Sequence, residues 1–493
     1  MSTTAQNYRA YGNFVPHRSP GVLGAGLLAS GILFVGLMVT LITGLFLGIA
    51  GALTALAVVA VAFAATGTPV GSATGRRVTF FNTRRKGEHQ WRSGVTSRNA
   101  SPHMRLPGML GRTRLLERLS PFGHPFAVVH NPAMGGTYTI IARCIAEGPH
   151  GQDQDRIDTW VGQYSQVLTL CSQEPALVCA KAITDTAPDP GGRLAAMVSQ
   201  GRSATAPAMA RQVIDEIVED YPTASSENIT YFELTFRGRG LDRKARQDTI
   251  LTELARRVPG FMGQLAAGGA GSVSMVTAGE LPAIVRCAYD PASQTFIEQS
   301  QLNGEDPIEW NEAGPVAAQE CWDRYTHDSG ASITWEMERG PRSAVTERAL
   351  AGLLMPHPDF TRKRVALIYR PLSPDSAADV SENDVSEAVF RATQSKGRVT
   401  ASSSKTISAT EQTRQEVASG AALVRWYLMV TATVRDVDDL DQAASTIGGS
   451  AGVARLRLRR CFGAQAASFA ATLPVGFVPW EHTAIPDKVR EMI

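Results

Sequence analysis

From Gly21 to about Pro69 the chain carries no charged residue and is mostly Leu, Val, Ala, Gly, Ile and Phe. A bilayer core is roughly 30 Å thick and takes about 20 apolar helical residues to cross. The run is too long for one crossing and suits two, Val22 to about Thr43 and about Leu45 to Ala65, turning near Gly44. It also far exceeds the roughly 7–15 apolar residues of a signal-peptide core. Gly24, Gly31, Gly36, Gly48 and Gly51 allow close helix–helix contact, or reflect composition alone.

Beyond residue 120 the period shortens. Phe126 to His130 and Thr137 to Cys144 read as strands of a hairpin, with Pro and Gly in the Asn131–Gly136 turn. Asp155 to Leu170 places Ile157, Trp160, Val161, Tyr164 and Leu168 on one helical face, and Ala208 to Tyr221 does the same with Val213, Ile214, Ile217 and Val218. Between these helices Ala176 to Ile183 reads as a buried strand. Ile229 to Phe236 reads as an alternating strand and Asp242 to Val258 as a helix. Thr277 and Glu280 have capping-box spacing for a helix through Cys287.

Residues 290–330, rich in Gly, Asp, Asn and Pro, read as a break. Afterwards Ala331 to Met337, Val365 to Tyr369, Leu423 to Val434 and Val453 to Arg460 suit strands. Ser386 to Gln394, Ala409 to Ala418, Asp438 to Thr446 and Phe462 to Ala471 suit helices, with a small polar tract from Thr400 to Thr406. The expected fold class is α+β: a transmembrane two-helix hairpin, then two α+β units with helices on one face of an antiparallel or mixed sheet. The expected divisions are an arm (1–20), the hairpin (21–69), a basic juxtamembrane segment (70–120), a first unit (121–305), a second unit (306–480) and a tail (481–493).

Charge orients the hairpin. Arg9 and Arg18 precede it, and Arg76, Arg77, Arg84, Arg85 and Lys86 follow it. Basic flanks stay in the cytoplasm, which puts both termini inside a cell membrane crossed twice. The five basic residues after the hairpin are candidates for contact with anionic lipid, and ordinary flanking charge reads equally well. Tyr8, Tyr11 and Phe14 suit the headgroup layer. The whole chain is nearly balanced, Lys plus Arg 48 against Asp plus Glu 46, so no direct nucleic-acid binding is expected. The six cysteines form no CxxC pair and read as reduced, mostly buried thiols.

Motifs for chemistry are absent. No GxxxxGK[ST] phosphate loop, GxSxG, HExxH or kinase signature occurs. Gly268 to Gly271 and Gly448-Gly449 read as loops or helix ends. His124 and His130 would lack a third metal donor, and His327-Asp328 and His357-Pro-Asp359 lie in turn-like contexts. No catalytic residue, cofactor or metal site is expected. Arg455, Arg457 and Arg459 alternate with Leu456 and Leu458, which makes one basic strand face. Such a face guards a sheet edge or receives an acidic partner. Trp310, Trp322 and Tyr325 mark either a partner-binding loop or a segment pinned to the core.

Several motifs, in order along nearly the whole chain, resemble an actinobacterial integral-membrane family of conjugative, type IV-like secretion systems. They are Tyr11-Gly12, Pro16-His-Arg-Ser-Pro20, Arg92-Ser-Gly94, Leu106-Pro-Gly-Met-Leu110, Asp158-Thr-Trp160, Ala288-Tyr-Asp-Pro291, Ala313-Gly-Pro-Val-Ala-Ala318 with Trp322-Asp323, Pro356-His-Pro-Asp359 with Arg362-Lys-Arg-Val365, and Gly420-Ala-Ala-Leu-Val-Arg425. The resemblance implies a membrane hairpin fused to a domain like the amino-terminal part of the secretion ATPase, without its motor. It implies a non-enzymatic inner-membrane scaffold, oligomeric in its assembly, that docks a separate phosphate-loop ATPase and other secretion subunits. It supplies no catalytic residues. A type VII secretion core component and a membrane-tethered enzyme stay open as alternatives.

Overall fold

The computed structural model describes residues 69–482, except 95–96, 98–103, 133–135, 147, 149–150, 190–191, 204, 225, 243, 245, 306–307, 340–347 and 395–400, together with Met38 and Gly48. Apart from Met38, Gly48 and Pro69, the expected hairpin lies outside the described residues, as do the arm before it and nearly all of the tail. Among the described residues no helix is long and apolar enough to cross a membrane.

The fold is α+β. Among the described residues its longer helices are α1 (Pro69–Lys86), α2 (Gln154–Gln173), α3 (Gly192–Gly201), α4 (Ala208–Ala224), α5 (Gln247–Leu265), α6 (Glu280–Tyr289), α7 (Gln294–Leu302), α8 (Pro374–Gln394), α9 (Ala401–Ala418), α10 (Leu440–Val453) and α11 (Gln465–Ala471). Among the described residues thirteen strands join in one sheet. They are β1 (Gln90–Arg92), β2 (Arg114–Leu119), β3 (Pro125–Asn131), β4 (Thr137–Ile145), β5 (Leu177–Pro188), β6 (Ser226–Arg237), β7 (Ser272–Met275), β8 (Ala317–Glu320), β9 (Tyr325–His327), β10 (Gly330–Arg339), β11 (Arg362–Pro371), β12 (Val424–Val434) and β13 (Arg457–Arg460). The order is β1-β8-β9-β10-β12-β11-β5-β6-β4-β3-β2, with β7 beside β4 and β13 beside β10.

This order contains one plan twice. In the first half β2, β3, β4, β6 and β5 lie side by side, and β7 continues the β3 edge of β4. In the second half β8, β9, β10, β12 and β11 do the same, and β13 continues the β9 edge of β10. Two helices connect β5 to β6, and two connect β11 to β12. The halves meet where β5 pairs antiparallel with β11, Ile183 opposite Ala366. Equivalent hydroxyl pairs bridge equivalent strands. Thr139 and Thr235 Oγ1 are 3.0 Å apart, and Ser332 Oγ and Thr433 Oγ1 2.7 Å apart. The division expected at residue 305 separates the two sets of strands, except that β1 joins the far edge of the second half.

Both sheet faces are covered, which corrects the expectation of helices on one face. On one face α2 and α5 bury Val167, Leu251 and Leu254 against the first half, and α10 buries Ile447 against the second. On the other face α6, α11 and the segment Leu473–Val478 form one core across both halves, with Val285, Phe469 and Val475 at 0% exposure. The capping box at α6 is formed: Thr277 N–H donates to Glu280 Oε2 at 2.9 Å, and Glu280 N–H to Thr277 Oγ1 at 3.3 Å.

Other expectations are corrected. The segment expected to be juxtamembrane, 70–120, ends in strand β2 with Leu115, Leu116 and Leu119. The helix expected to stop at Val258 continues through Pro259 to Leu265. The supposed break at 290–330 contains α7, β8 and β9. The tract Thr400–Thr406 lies largely within α9, and Gly448-Gly449 lies inside α10 rather than at its end. The expected strand Val453–Arg460 begins only at Arg457, because α10 runs through Val453 and Arg455 turns the chain at φ +55°.

Candidate docking surface

Helix α1 carries four arginines and a lysine and no acid, and Arg84, Arg85 and Lys86 close its last turn. There they complement the negative end of the helix dipole. Its inward row is Arg76, Phe80 and Thr83, all half-buried, while Arg77, Val78, Phe81, Arg84, Arg85 and Lys86 are exposed. Phe80 meets the Trp322 ring edge-on at 5.4 Å, and Trp322 stacks on Phe462 at 5.9 Å. Gly463 makes room for the indole. Its φ is +73°, and a Cβ there would lie 2.6 Å from the Trp322 ring. The chain leaving α1 adds β1 to β8, and Ser93 N–H donates to the Val316 carbonyl at 2.8 Å. Two contacts therefore tie the segment after the apolar run to the second half of the sheet.

Two sets of expected site residues come together here. Burial lowers the Arg76 pKa, and the neighbouring Arg459 lowers it further, against the pull of Glu336. Arg459 donates from Nε to Glu336 Oε1 at 3.1 Å, and Arg457 Nε lies 2.7 Å from Glu338 Oε2. Arg455 and Arg457 are exposed and Arg459 half-buried. The chain itself thus supplies acids to Arg457 and Arg459, and Arg455 stands on a turn rather than on the strand. Sequence reasoning singled out Trp322 but did not pair it with Phe80, and it missed Phe462 and Glu336. The signal available for the aromatic contact was Phe80 lying among the basic residues and Trp322 in a polar segment.

The remaining candidates are structural. Trp310 donates from Nε1 to the Thr113 carbonyl at 3.3 Å, and Tyr325 is 3% exposed, so the segment from Trp310 is pinned to the core. His130 stacks on Tyr138 at 4.4 Å, and burial lowers its pKa. Asp359 accepts from Thr446 and Gln442 and caps the chain against α10. All six cysteines are unpaired and five are buried. Among the described residues no group of three or more His, Cys, Asp or Glu is placed to hold a metal ion.

Motifs that carry the resemblance converge on buried ion pairs. Arg286 NH1 donates to the Gly314 carbonyl at 2.6 Å and lies 3.0 Å from Asp328, while its NH2 donates to Asp290 at 2.8 Å. Arg362 donates to Asp185 across the junction of the halves and to the Cys287 carbonyl at 3.1 Å. No family model matches the chain, and no curated protein matches it either.

Phe80→Ala and Trp322→Ala are each expected to loosen α1 from the sheet. Limited trypsin digestion should then cut at Arg84 and Arg85 several-fold faster, with little change in global melting, because α1 lies outside the three main cores. Unchanged cleavage in both variants would show that α1 is held by other contacts.

Proposed function

We propose that the chain is a non-enzymatic inner-membrane scaffold of a type IV-like secretion or conjugation machine that docks a separate phosphate-loop ATPase. The observation that supports it most is the seating of α1. The segment that directly follows the apolar run packs through Phe80 on Trp322 and continues into β1 of the sheet. A hairpin in the membrane would then hold the sheet at a fixed place beneath the bilayer, with Arg77 near anionic headgroups. On this reading Arg455, Arg457 and Arg459 present the docking surface. Glu338 and Glu336 hold Arg457 and Arg459 in place on the surface, where an acidic partner surface can meet them.

Purification of the chain in mild detergent at low salt should bring a phosphate-loop ATPase with it. Replacing all three arginines with Gln should reduce that recovery several-fold while leaving stability within about 1 kcal/mol, since exposed ion pairs contribute little. Recovery at the parental level from the triple variant would remove these residues from the docking surface.

A further inference from the structure

We propose that α4 of one copy of this chain docks on the outward face of α1 of a second copy, head to tail. Helix α4 has the apolar stripe expected of a core helix, yet Met209 is 79%, Val213 47% and Ile217 54% exposed. Its counterparts in the second half, α8 and α9, pack along one another. The short α3 gives α4 no such cover and itself leaves Met197 68% exposed. An uncovered apolar stripe of this length marks an interaction site.

The chemistry around the stripe selects the partner. Helix α4 carries Asp215, Glu216, Glu219 and Asp220 against the single cation Arg211. Anionic lipid would repel that helix, whereas a basic amphipathic helix suits it. Glu216 and Asp220 lie on the row next to Met209, Val213 and Ile217, at i+3 spacing. Helix α1 offers the complement. Arg77, Phe81 and Arg85 follow at i, i+4 and i+8 on its outer side, with Phe81 65% and Val78 49% exposed. Phe81 can enter between Val213 and Ile217 while Arg85 reaches toward Glu216.

Within one copy both faces are exposed and α1 is committed to Trp322, so the contact joins different copies. Two different patches meeting head to tail generate a ring or an open row. Arg84 and Arg85 lie about 12 Å further along α1 than Arg76, at about 1.5 Å per residue. That end stays clear of the headgroups that the Arg77 end would meet. The contact requires no ATPase.

The test is the mass of the purified full chain in mild detergent, measured by light scattering at low salt and at about 1 M salt, where screening acts within about 3 Å. The parent is expected to form multimers at low salt that fall apart in high salt. Val213→Ser/Ile217→Ser, Glu216→Arg and Arg85→Glu should each weaken association at least tenfold, and the exchanged pair Glu216→Arg/Arg85→Glu should regain it. All these positions are exposed or at the surface, so circular dichroism should be unchanged. Parental chains that stay monomeric, multimers indifferent to either charge variant, or an exchanged pair that gains nothing would each overturn the proposal. Loss of binding to anionic vesicles by the Val213→Ser/Ile217→Ser variant, without a change in mass, would assign α4 to the membrane and overturn it too.

Discussion

Replacing Asp185 with Ala is expected to destabilise the protein by about 3–5 kcal/mol, the range for removing one partner of a buried ion pair. Asp185 lies where the two halves of the sheet join, directly opposite Arg364 in the register. Its Oδ1 accepts from Arg362 Nε at 2.9 Å and its Oδ2 from the same nitrogen at 3.1 Å. Arg364 is 1% exposed, and its two terminal nitrogens have no hydrogen-bond partner among the described residues. Its guanidinium lies 4.5 Å over the Phe469 ring, and burial pulls its pKa down to about 10. Without Asp185 two buried cations would remain with no acid between them. The exposed pair Arg202–Asp215 is the control, with side chains 44% and 56% exposed. Asp215→Ala should cost less than about 1 kcal/mol. Urea unfolding of the full chain in detergent, followed by tryptophan fluorescence, compares the two. An Asp185→Ala variant as stable as Asp215→Ala would show that the junction tolerates the uncompensated charge.

Stability should also fall with pH through one histidine. His327 is 2% exposed, and its Nδ1 lies 2.6 Å from the Tyr289 carbonyl and its Nε2 2.7 Å from Ser332 Oγ. The neutral ring satisfies both: Nδ1–H donates to the carbonyl, and Nε2 accepts from the hydroxyl. Burial, with help from Arg364 and against the Tyr289 carbonyl and Asp290, pulls its pKa from 6.5 to about 4. The unfolded chain therefore takes up this proton first. The contribution is complete above about pH 6.5 and is lost as pH falls toward 4, a span of roughly 3 kcal/mol. His327→Gln should flatten the stability profile between pH 6.5 and 4.5. Equal slopes in parent and variant would mean that His327 protonates in the folded state without penalty.

The sequence made the long strands and amphipathic helices legible, because period and composition agreed. Leu423–Val434 matches β12 within a residue, and α2 follows the stripe from Ile157. Charge misled where tertiary context reversed its usual meaning. Arg362-Lys-Arg364 looks like the solvated start of a strand, yet these residues are 8%, 3% and 1% exposed. They are held by Asp185, the Met355 carbonyl and the Phe469 ring, partners that lie far off in sequence or, for Met355, across a turn. Lys181 and Glu233 form a second such pair, at ion-pair distance (2.9 Å) though not in hydrogen-bond alignment, both side chains at 0% exposure. Gly476 N–H donates to Glu233 Oε2 at 3.1 Å, and a Cβ on Gly476 would come 2.3 Å from Thr139 Oγ1.

Periodicity failed in the opposite sense at α4, whose stripe predicts a core that the described residues do not provide. Alternation misled at Arg455 to Arg459, where the pattern of a strand overlaps the end of α10. Of the docking surface the sequence displayed the cations but not their setting. The contacts of Phe80 with Trp322 and of Arg459 with Glu336 join segments more than 100 residues apart, and no local pattern encodes them.

The central claim is that this chain holds a motor ATPase at the membrane. The direct measurement is the distribution of the co-purifying ATPase between membrane and soluble fractions, in cells with the chain and in cells lacking it. The account predicts that the ATPase sediments with membranes when the chain is present and moves to the soluble fraction when it is absent. An ATPase distributed identically in both would contradict it.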